Sequence, residues 1–161
     1  MSIYHGIKIL GIGNLVRRDE GVGVHLLRAL ENTLPPEIEL LDGGTTGLNL
    51  LEFVENAQKL IVLDAVEAGE NPGEVVVWRK EQVPYFIATK MSVHQLGFAE
   101  VLNWAKFREK YPEDIVVIGV QPQCLDWGTE LSEPVQQALP AALKEISLIL
   151  EEWGVTSAGS K

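Results

Sequence analysis

The chain has a single cysteine and few basic residues. Its 161 residues include 13 Lys and Arg against 23 Asp and Glu, which gives a formal net charge of −10 and a pI near 4.7. One cysteine, Cys124, excludes an internal disulfide and any zinc site built from cysteine pairs. The scarcity of positive charge argues against a nucleic-acid partner, because phosphate binding draws most of its affinity from clustered Lys and Arg. A protein or metal partner fits this composition better.

Long apolar runs are also missing. No stretch approaches the roughly 20 residues that cross a bilayer, and the N-terminus lacks the apolar core of a signal peptide. We therefore expect a cytoplasmic protein without a membrane partner. At 161 residues and 46% hydrophobic content, the chain is long enough to bury a sizeable core. We expect residues 1–161 to form one domain, with a disordered tail over residues 156–161.

Short apolar runs alternate with helical patterns, which predicts an α/β fold with a mostly parallel sheet. The strands are predicted at 7–10, 38–41, 60–63, 74–78 and 115–120, and the helices at about 24–34, 46–56, 92–107 and 132–153. The connection between the third and fourth strands has nine residues, whereas a parallel crossover takes a dozen or more. The fourth strand is therefore predicted to be antiparallel, which makes the sheet mixed.

Acidic residues follow three consecutive predicted strands. The stretch Gly11–Gly23 joins the first strand to the first helix and contains Asp19 and Glu20, while Asp42 and Asp64 end the next two strands. Acids in the first turn of a helix are already favoured by the helix dipole. Asp64 is harder to explain in this way, because a carboxylate that ends a wholly apolar strand is costly to desolvate unless it faces a polar cleft or a cation.

Among three histidines, His94 has the most informative position. It lies in the first turn of a helix that Ser92 begins, where the dipole disfavours the protonated imidazole and keeps it available as a ligand. If the strand ends share one cleft, Glu20, Asp64 and His94 form a set of two carboxylates and one imidazole. Such a set suits a divalent first-row ion such as nickel, manganese or zinc, although it is far less specific than the motif H-E-x-x-H, which is absent.

Other motifs fit poorly. Val16 stands where the third glycine of the dinucleotide-binding pattern G-x-G-x-x-G belongs, and two carboxylates follow where a phosphate needs neutral or positive surroundings. The nucleophile elbow G-x-S-x-G and the P-loop signature are absent. Cys124 is interpreted as a small residue beside the loop after the fifth strand, because the sequence shows no base that would activate its thiol.

Four motifs together resemble the maturation endopeptidases of nickel–iron hydrogenases: G-I-G-N-L-V-R-R-D-E-G-V-G, L-L-D-G-G-T-T-G, L-I-V-L-D-A-V and M-S-V-H-Q-L-G. Their order and spacing hold from Ile7 to about Trp153. The resemblance implies a three-layer α/β/α sandwich with a five-stranded mixed sheet and one antiparallel strand. It also implies an endopeptidase that removes a short C-terminal extension from the nickel-loaded precursor of the hydrogenase large subunit.

The resemblance also implies roles for individual residues. It assigns metal binding to Glu20, Asp64 and His94, and it places Asp42 near the cleft for recognition or catalysis. The nickel would be carried by the precursor, and other divalent ions could occupy the site. Either Asp42 or Asp19 could act as the general base, and the sequence does not choose between them. We expect the working form to be a monomer.

Two further functions fit the same acidic cleft. A non-catalytic nickel-binding chaperone would bind the metal without cutting the precursor, and a general metallopeptidase would hold its own metal and cleave unrelated peptides. Arg17 and Arg18, directly before the acidic pair, depart from the family pattern. As loop charges, they could select the tail of the precursor.

Overall fold

A five-stranded sheet forms the centre of the protein, in a computed structural model that describes residues 4–43, 47–89 and 96–156. The strands lie in the order β2-β1-β3-β5-β4. They are β1 (Ile7–Gly11), β2 (Glu39–Asp42), β3 (Lys59–Ala65), β4 (Val75–Trp78) and β5 (Asp114–Val120). Strands β1, β2, β3 and β5 are parallel, and β4 pairs antiparallel with β5. The predicted mixed sheet, with its fourth strand antiparallel, is therefore confirmed.

Helices cover both faces of this sheet and give the three-layer sandwich. They are α1 (Val22–Leu30), α2 (Gly47–Glu55), α3 (Val83–Thr89), α4 (Leu96–Phe107) and α5 (Glu133–Glu152). Alternate residues of β3 enter two separate cores: Ile61 packs with α1 and α5, whereas Leu60 and Val62 pack with α2, α3 and α4. The central strands β3 and β5 carry continuous apolar runs because both faces of these strands are buried.

Helix α3 is the element that the sequence did not predict. It follows a 3-10 turn at Lys80–Gln82, and it buries Val83 and Phe86, which are spaced by three residues. In that turn, the side-chain oxygen Oε1 of Gln82 accepts a hydrogen bond from the backbone N–H of Arg79 at 2.8 Å. Arg79 is not a typical helix-start residue, and the helix is short and rich in the β-prone residues Val83, Tyr85 and Phe86.

Some expectations fall on residues outside the described ranges. Thr46, where the second helix is predicted to begin, and Ser92 are among these, and so are residues 157–161 of the tail. Thr156, the last described residue, accepts or donates a hydrogen bond with the hydroxyl of Tyr4 at 3.2 Å. Within the described ranges, no helix combines the length and the apolar character needed to span a membrane.

Close backbone contact brings the start of α1 to the end of β3. A Cβ atom at Gly23 would lie 2.6 Å from the carbonyl oxygen of Ile12 and closer still to the carbonyl oxygen of Leu63. The N–H of Ile12 donates to that same carbonyl of Leu63 at 2.9 Å. Only glycine fits at position 23, because any side chain would push the helix away from the strand. This contact places the turn directly before α1, which contains Glu20, beside Asp64.

Candidate functional site

Three acidic residues lie at the carboxyl edge of the parallel strands. Asp42 ends β2 and pairs in register with Gly11 of β1, which in turn pairs with Leu63, the residue before Asp64 in β3. Asp42 and Asp64 therefore flank β1, and two strand spacings separate their backbones by about 10 Å. Glu20 lies in the 3-10 turn Arg18–Gly21, directly after β1 and its glycine-rich loop. This is the edge at which open α/β folds form their sites.

Asp64 is buried at this edge, with 2% of its surface exposed. Its carboxylate accepts a hydrogen bond from the N–H of Ala65 at 2.8 Å. Burial raises the pKa of Asp64 well above its ordinary value, the Ala65 hydrogen bond opposes that shift, and the negative charge of Glu20 adds to it. Glu20 is half-buried. The two carboxylates are thus close enough to repel each other, and a bound cation would relieve both the burial and the repulsion.

His94 lies outside the described residues, so its part in the site stays a prediction. Helix α4 begins at Leu96, two residues later, and its other end leads into the amino end of β5. The first turn of α4 therefore points towards the carboxyl edge of the sheet. Within the described ranges, no three His, Cys, Asp or Glu side chains are grouped to hold a metal. Two of the three predicted ligands, Glu20 and Asp64, belong to those ranges.

Asp19 is fully buried and accepts four hydrogen bonds. They come from the N–H groups of Gln123 (2.8 Å), Cys124 (2.9 Å) and Ser132 (2.7 Å), and from the hydroxyl of Ser132 (2.7 Å). Burial raises the pKa of Asp19, but the hydrogen bonds outweigh it, and the net pKa lies below the ordinary value. A carboxylate held in this way is a weak base. Its geometry suits support of the loop after β5 better than proton transfer.

Asp42 has a different environment from Asp19. It is half-buried at the last position of β2, and Gly43 after it is half-buried too. The next three residues of its motif, Gly44 to Thr46, lie outside the described residues. Asp42 is therefore the more accessible of the two residues that were considered as general base.

Gln121 supports the connection that follows β3, and the sequence did not single it out. It is 3% exposed, and its carbonyl oxygen Oε1 accepts from the N–H groups of Ala68 at 2.8 Å and Glu70 at 3.1 Å. Its amide nitrogen Nε2 donates to Glu67 at 2.9 Å. The sequence pattern that could have identified Gln121 is the one that identified Asp64: a polar residue directly after an apolar run that is predicted to be a strand. Gln121 fixes the backbone that continues from Asp64.

Comparisons with known proteins agree with this geometry. The chain matches the model of a family described as hydrogenase maturation protease over residues 24–149. It is 45% identical over 153 residues to the hydrogenase expression/formation protein HupD of Rhizobium leguminosarum bv. viciae, which covers 92% of this chain and 76% of that one. It is 38% identical over 152 residues to the hydrogenase 2 maturation protease of Escherichia coli strain K12, with coverages of 92% and 93%.

Solved structures extend the likeness to the fold. The hydrogenase maturating endopeptidase HybD from E. coli superposes with a TM-score of 0.87 at 37% identity, over 94% of this chain and 95% of that one. The HybD protein of Thermococcus kodakarensis gives a TM-score of 0.75 at 24% identity, over 89% and 97%, which is a likeness of fold. The five-stranded mixed sheet flanked by helices is thus the HybD-type fold.

Proposed function

The chain belongs to the hydrogenase maturation protease family, and we propose that it removes a short C-terminal extension from the nickel-loaded precursor of a nickel–iron hydrogenase large subunit. Membership of this family makes it a hydrogenase maturation endopeptidase, whose substrate is a hydrogenase precursor. The four sequence motifs, with their spacing, support cleavage at the C-terminal end. The requirement for nickel is supported by one observation above all, the buried carboxylate of Asp64 with the charge of Glu20 beside it.

Nickel recognition is the first step of the proposal. Glu20 and Asp64, together with the imidazole of His94, bind the nickel ion that the precursor already holds. Two hard carboxylate donors and one imidazole suit a divalent first-row ion, so other divalent ions can occupy the same positions. Because the ion belongs to the substrate, a precursor without nickel lacks the group that docks it. This explains how processing would wait for metal insertion.

Cleavage is the second step. The nickel ion supplies positive charge that polarises the scissile carbonyl or lowers the pKa of the attacking water. Asp42 acts as the general base: it takes a proton from that water while the oxygen adds to the carbonyl carbon, and it gives this proton to the departing amine as the C–N bond breaks. Asp19 keeps the loop after β5 in place beside Glu20. We further propose that the enzyme works as a monomer in the cytoplasm.

The test is an incubation of the protein with nickel-loaded and nickel-free precursor, followed by mass spectrometry of the intact large subunit. The proposal predicts loss of a C-terminal segment from the nickel-loaded form alone. A chaperone would leave both forms at full length. A general metallopeptidase would hold stoichiometric metal after purification and would cut unrelated peptides as well.

A further inference from the structure

Two loops beside Glu20 form an exposed surface of mixed apolar and cationic character. We call it the Arg17–Trp127 surface, and it consists of Val16, Arg17, Leu125 and Trp127. The exposed fractions of its apolar residues are 47% for Val16, 39% for Leu125 and 75% for Trp127. The guanidinium carbon of Arg17 lies 5.2 Å from the ring centroid of Trp127. Exposed apolar patches of this kind mark interaction sites more often than isolated exposed residues do.

The backbone holds this surface in one shape. The N–H of Gly128 donates to the carbonyl of Val16 at 2.9 Å, and the N–H of Arg18 donates to the carbonyl of Gly128 at 3.0 Å. These bonds form a parallel bridge between Arg17 and Gly128. The side-chain Nε of Arg17 donates to the carbonyl of Leu125 at 2.8 Å. A surface fixed before binding loses less entropy when a ligand arrives.

The surface is continuous with the proposed nickel site. Arg17 precedes Glu20 by three residues, and the N–H of Glu20 donates to the carbonyl of Arg17 at 3.1 Å. The N–H of Asp19 donates to the carbonyl of Cys124 at 3.0 Å, next to Leu125. The surface therefore lies where it can contact a peptide whose cleavage site is held at Glu20.

Arg17 uses fewer of its side-chain hydrogen-bond donors than its neighbour Arg18 does. Arg18 uses its Nε on the carbonyl of Glu130 at 2.9 Å and its Nη1 on the sulfur of Cys124 at 3.2 Å. Among residues 4–43, 47–89 and 96–156, the side chain of Arg17 donates only through Nε, and no carboxylate lies within ion-pair distance of it. The planar guanidinium of Arg17 can therefore bind a carboxylate through both Nη groups while it lies over the ring of Trp127.

We infer that the Arg17–Trp127 surface binds the C-terminal extension of the precursor, with Arg17 holding its terminal carboxylate and Trp127 contacting its apolar side chains. The inference rests on the proposed function, because a substrate whose cleaved segment is its own C-terminus carries that carboxylate. In a chain with a net charge of −10, an arginine whose Nη groups can bind a further carboxylate favours an anionic partner at this position. Arg17 is then a specificity-determining residue for the extension.

The experiment compares two nickel-loaded precursors, one with the native terminal carboxylate and one with a carboxamide introduced by peptide ligation. For the wild-type enzyme we expect KM to be about fivefold lower for the carboxylate, as for a partly solvated ion pair, with kcat unchanged. Arg17→Gln should remove this preference, and Arg17→Lys should retain part of it. Trp127→Leu should raise KM for both precursors equally. Arg28→Gln, at an exposed position of α1, is the matched control and should keep the full preference.

The outcomes separate the two proposals. If the wild-type enzyme cuts both precursors with the same KM, or if Arg17→Gln keeps the preference, then Arg17 does not hold the terminal carboxylate and the inference is overturned. If the wild-type enzyme cuts neither nickel-loaded precursor, the proposed function fails first. Circular dichroism and thermal melting of each variant show whether a loss of affinity comes from the surface or from unfolding.

Discussion

Ser132 donates two hydrogen bonds to the carboxylate of Asp19, one from its backbone N–H and one from its hydroxyl, each at 2.7 Å. The bonds join the turn that holds Glu20 to the start of α5, across a separation of 113 residues in sequence. Ser132 precedes α5 but makes no side-chain cap to it, because its hydroxyl is used on Asp19. The position of Glu20 therefore depends on contacts between segments far apart in the chain.

Asp19→Asn should destabilise the protein strongly. The variant places an NH₂ donor against donors and removes the charge that four hydrogen bonds stabilise, so we expect a loss of about 3 kcal/mol in the free energy of unfolding. Ser132→Ala removes only one donor and should cost about 1 kcal/mol. Urea denaturation of both variants measures the difference. Equal stabilities for Asp19→Asn and wild type would show that this carboxylate does not support the fold.

Asp42→Asn should impair catalysis far more than it changes the free energy of unfolding. Loss of a general base typically lowers the rate about 10² to 10⁴-fold, and Asp42 is half-buried at a strand end where an amide of the same size fits. Single-turnover cleavage of the nickel-loaded precursor gives the rate, and urea denaturation gives the stability. A variant that cuts at the wild-type rate would exclude Asp42 as the base.

Gln121→Leu should loosen the connection after β3. Leucine leaves the N–H groups of Ala68 and Glu70 without the acceptor that now binds them, which should cost about 2 kcal/mol. Amide hydrogen exchange should become faster over residues 66–71, beside Asp64. Gln137→Leu, at an exposed position of α5, is the matched control and should leave exchange there unchanged. Unchanged protection in Gln121→Leu would refute the positioning role of Gln121.

The ion pair between Arg79 and Glu152, at the C-terminal end of α5, predicts that the stability of the fold depends on pH. The two nitrogens Nη1 and Nη2 of Arg79 donate to the carboxylate of Glu152 at 2.8 and 2.9 Å, and these hydrogen bonds lower the pKa of Glu152. A carboxyl group with a lowered pKa in the folded state stabilises the fold above its unfolded pKa, and this contribution is lost as pH falls through the folded pKa. A carboxyl NMR titration should show a lowered midpoint for Glu152 that Arg79→Gln returns towards the ordinary value. The same low midpoint in Arg79→Gln would rule out Arg79 as its cause.

The sequence predicted the strands of the sheet but not the hydrogen bonds that support the site. Apolar runs predicted all five strands, and the nine-residue connection predicted that β4 is antiparallel, because these are local features. Helix α3 was missed because its seven residues make only about two turns, too few for the spacing of Val83 and Phe86 to stand out as a helical pattern. The partners of Asp19 lie 104 to 113 residues away, so no local pattern reveals that this acid supports a loop. Asp64 could be singled out because burial of a carboxylate at the end of an apolar strand is itself a local signal.

The most direct test of the account is the rate of precursor cleavage with and without nickel, measured for the wild-type protein and for Asp64→Asn. The substitution keeps the shape of the side chain and removes one negative charge from the proposed nickel site. We predict that the wild-type protein shortens only the nickel-loaded precursor and that Asp64→Asn cuts it at least about a hundredfold more slowly, as expected for loss of a group that binds or orients the substrate. Cleavage of nickel-free precursor at the wild-type rate, or full activity of Asp64→Asn, would contradict nickel recognition through this carboxylate.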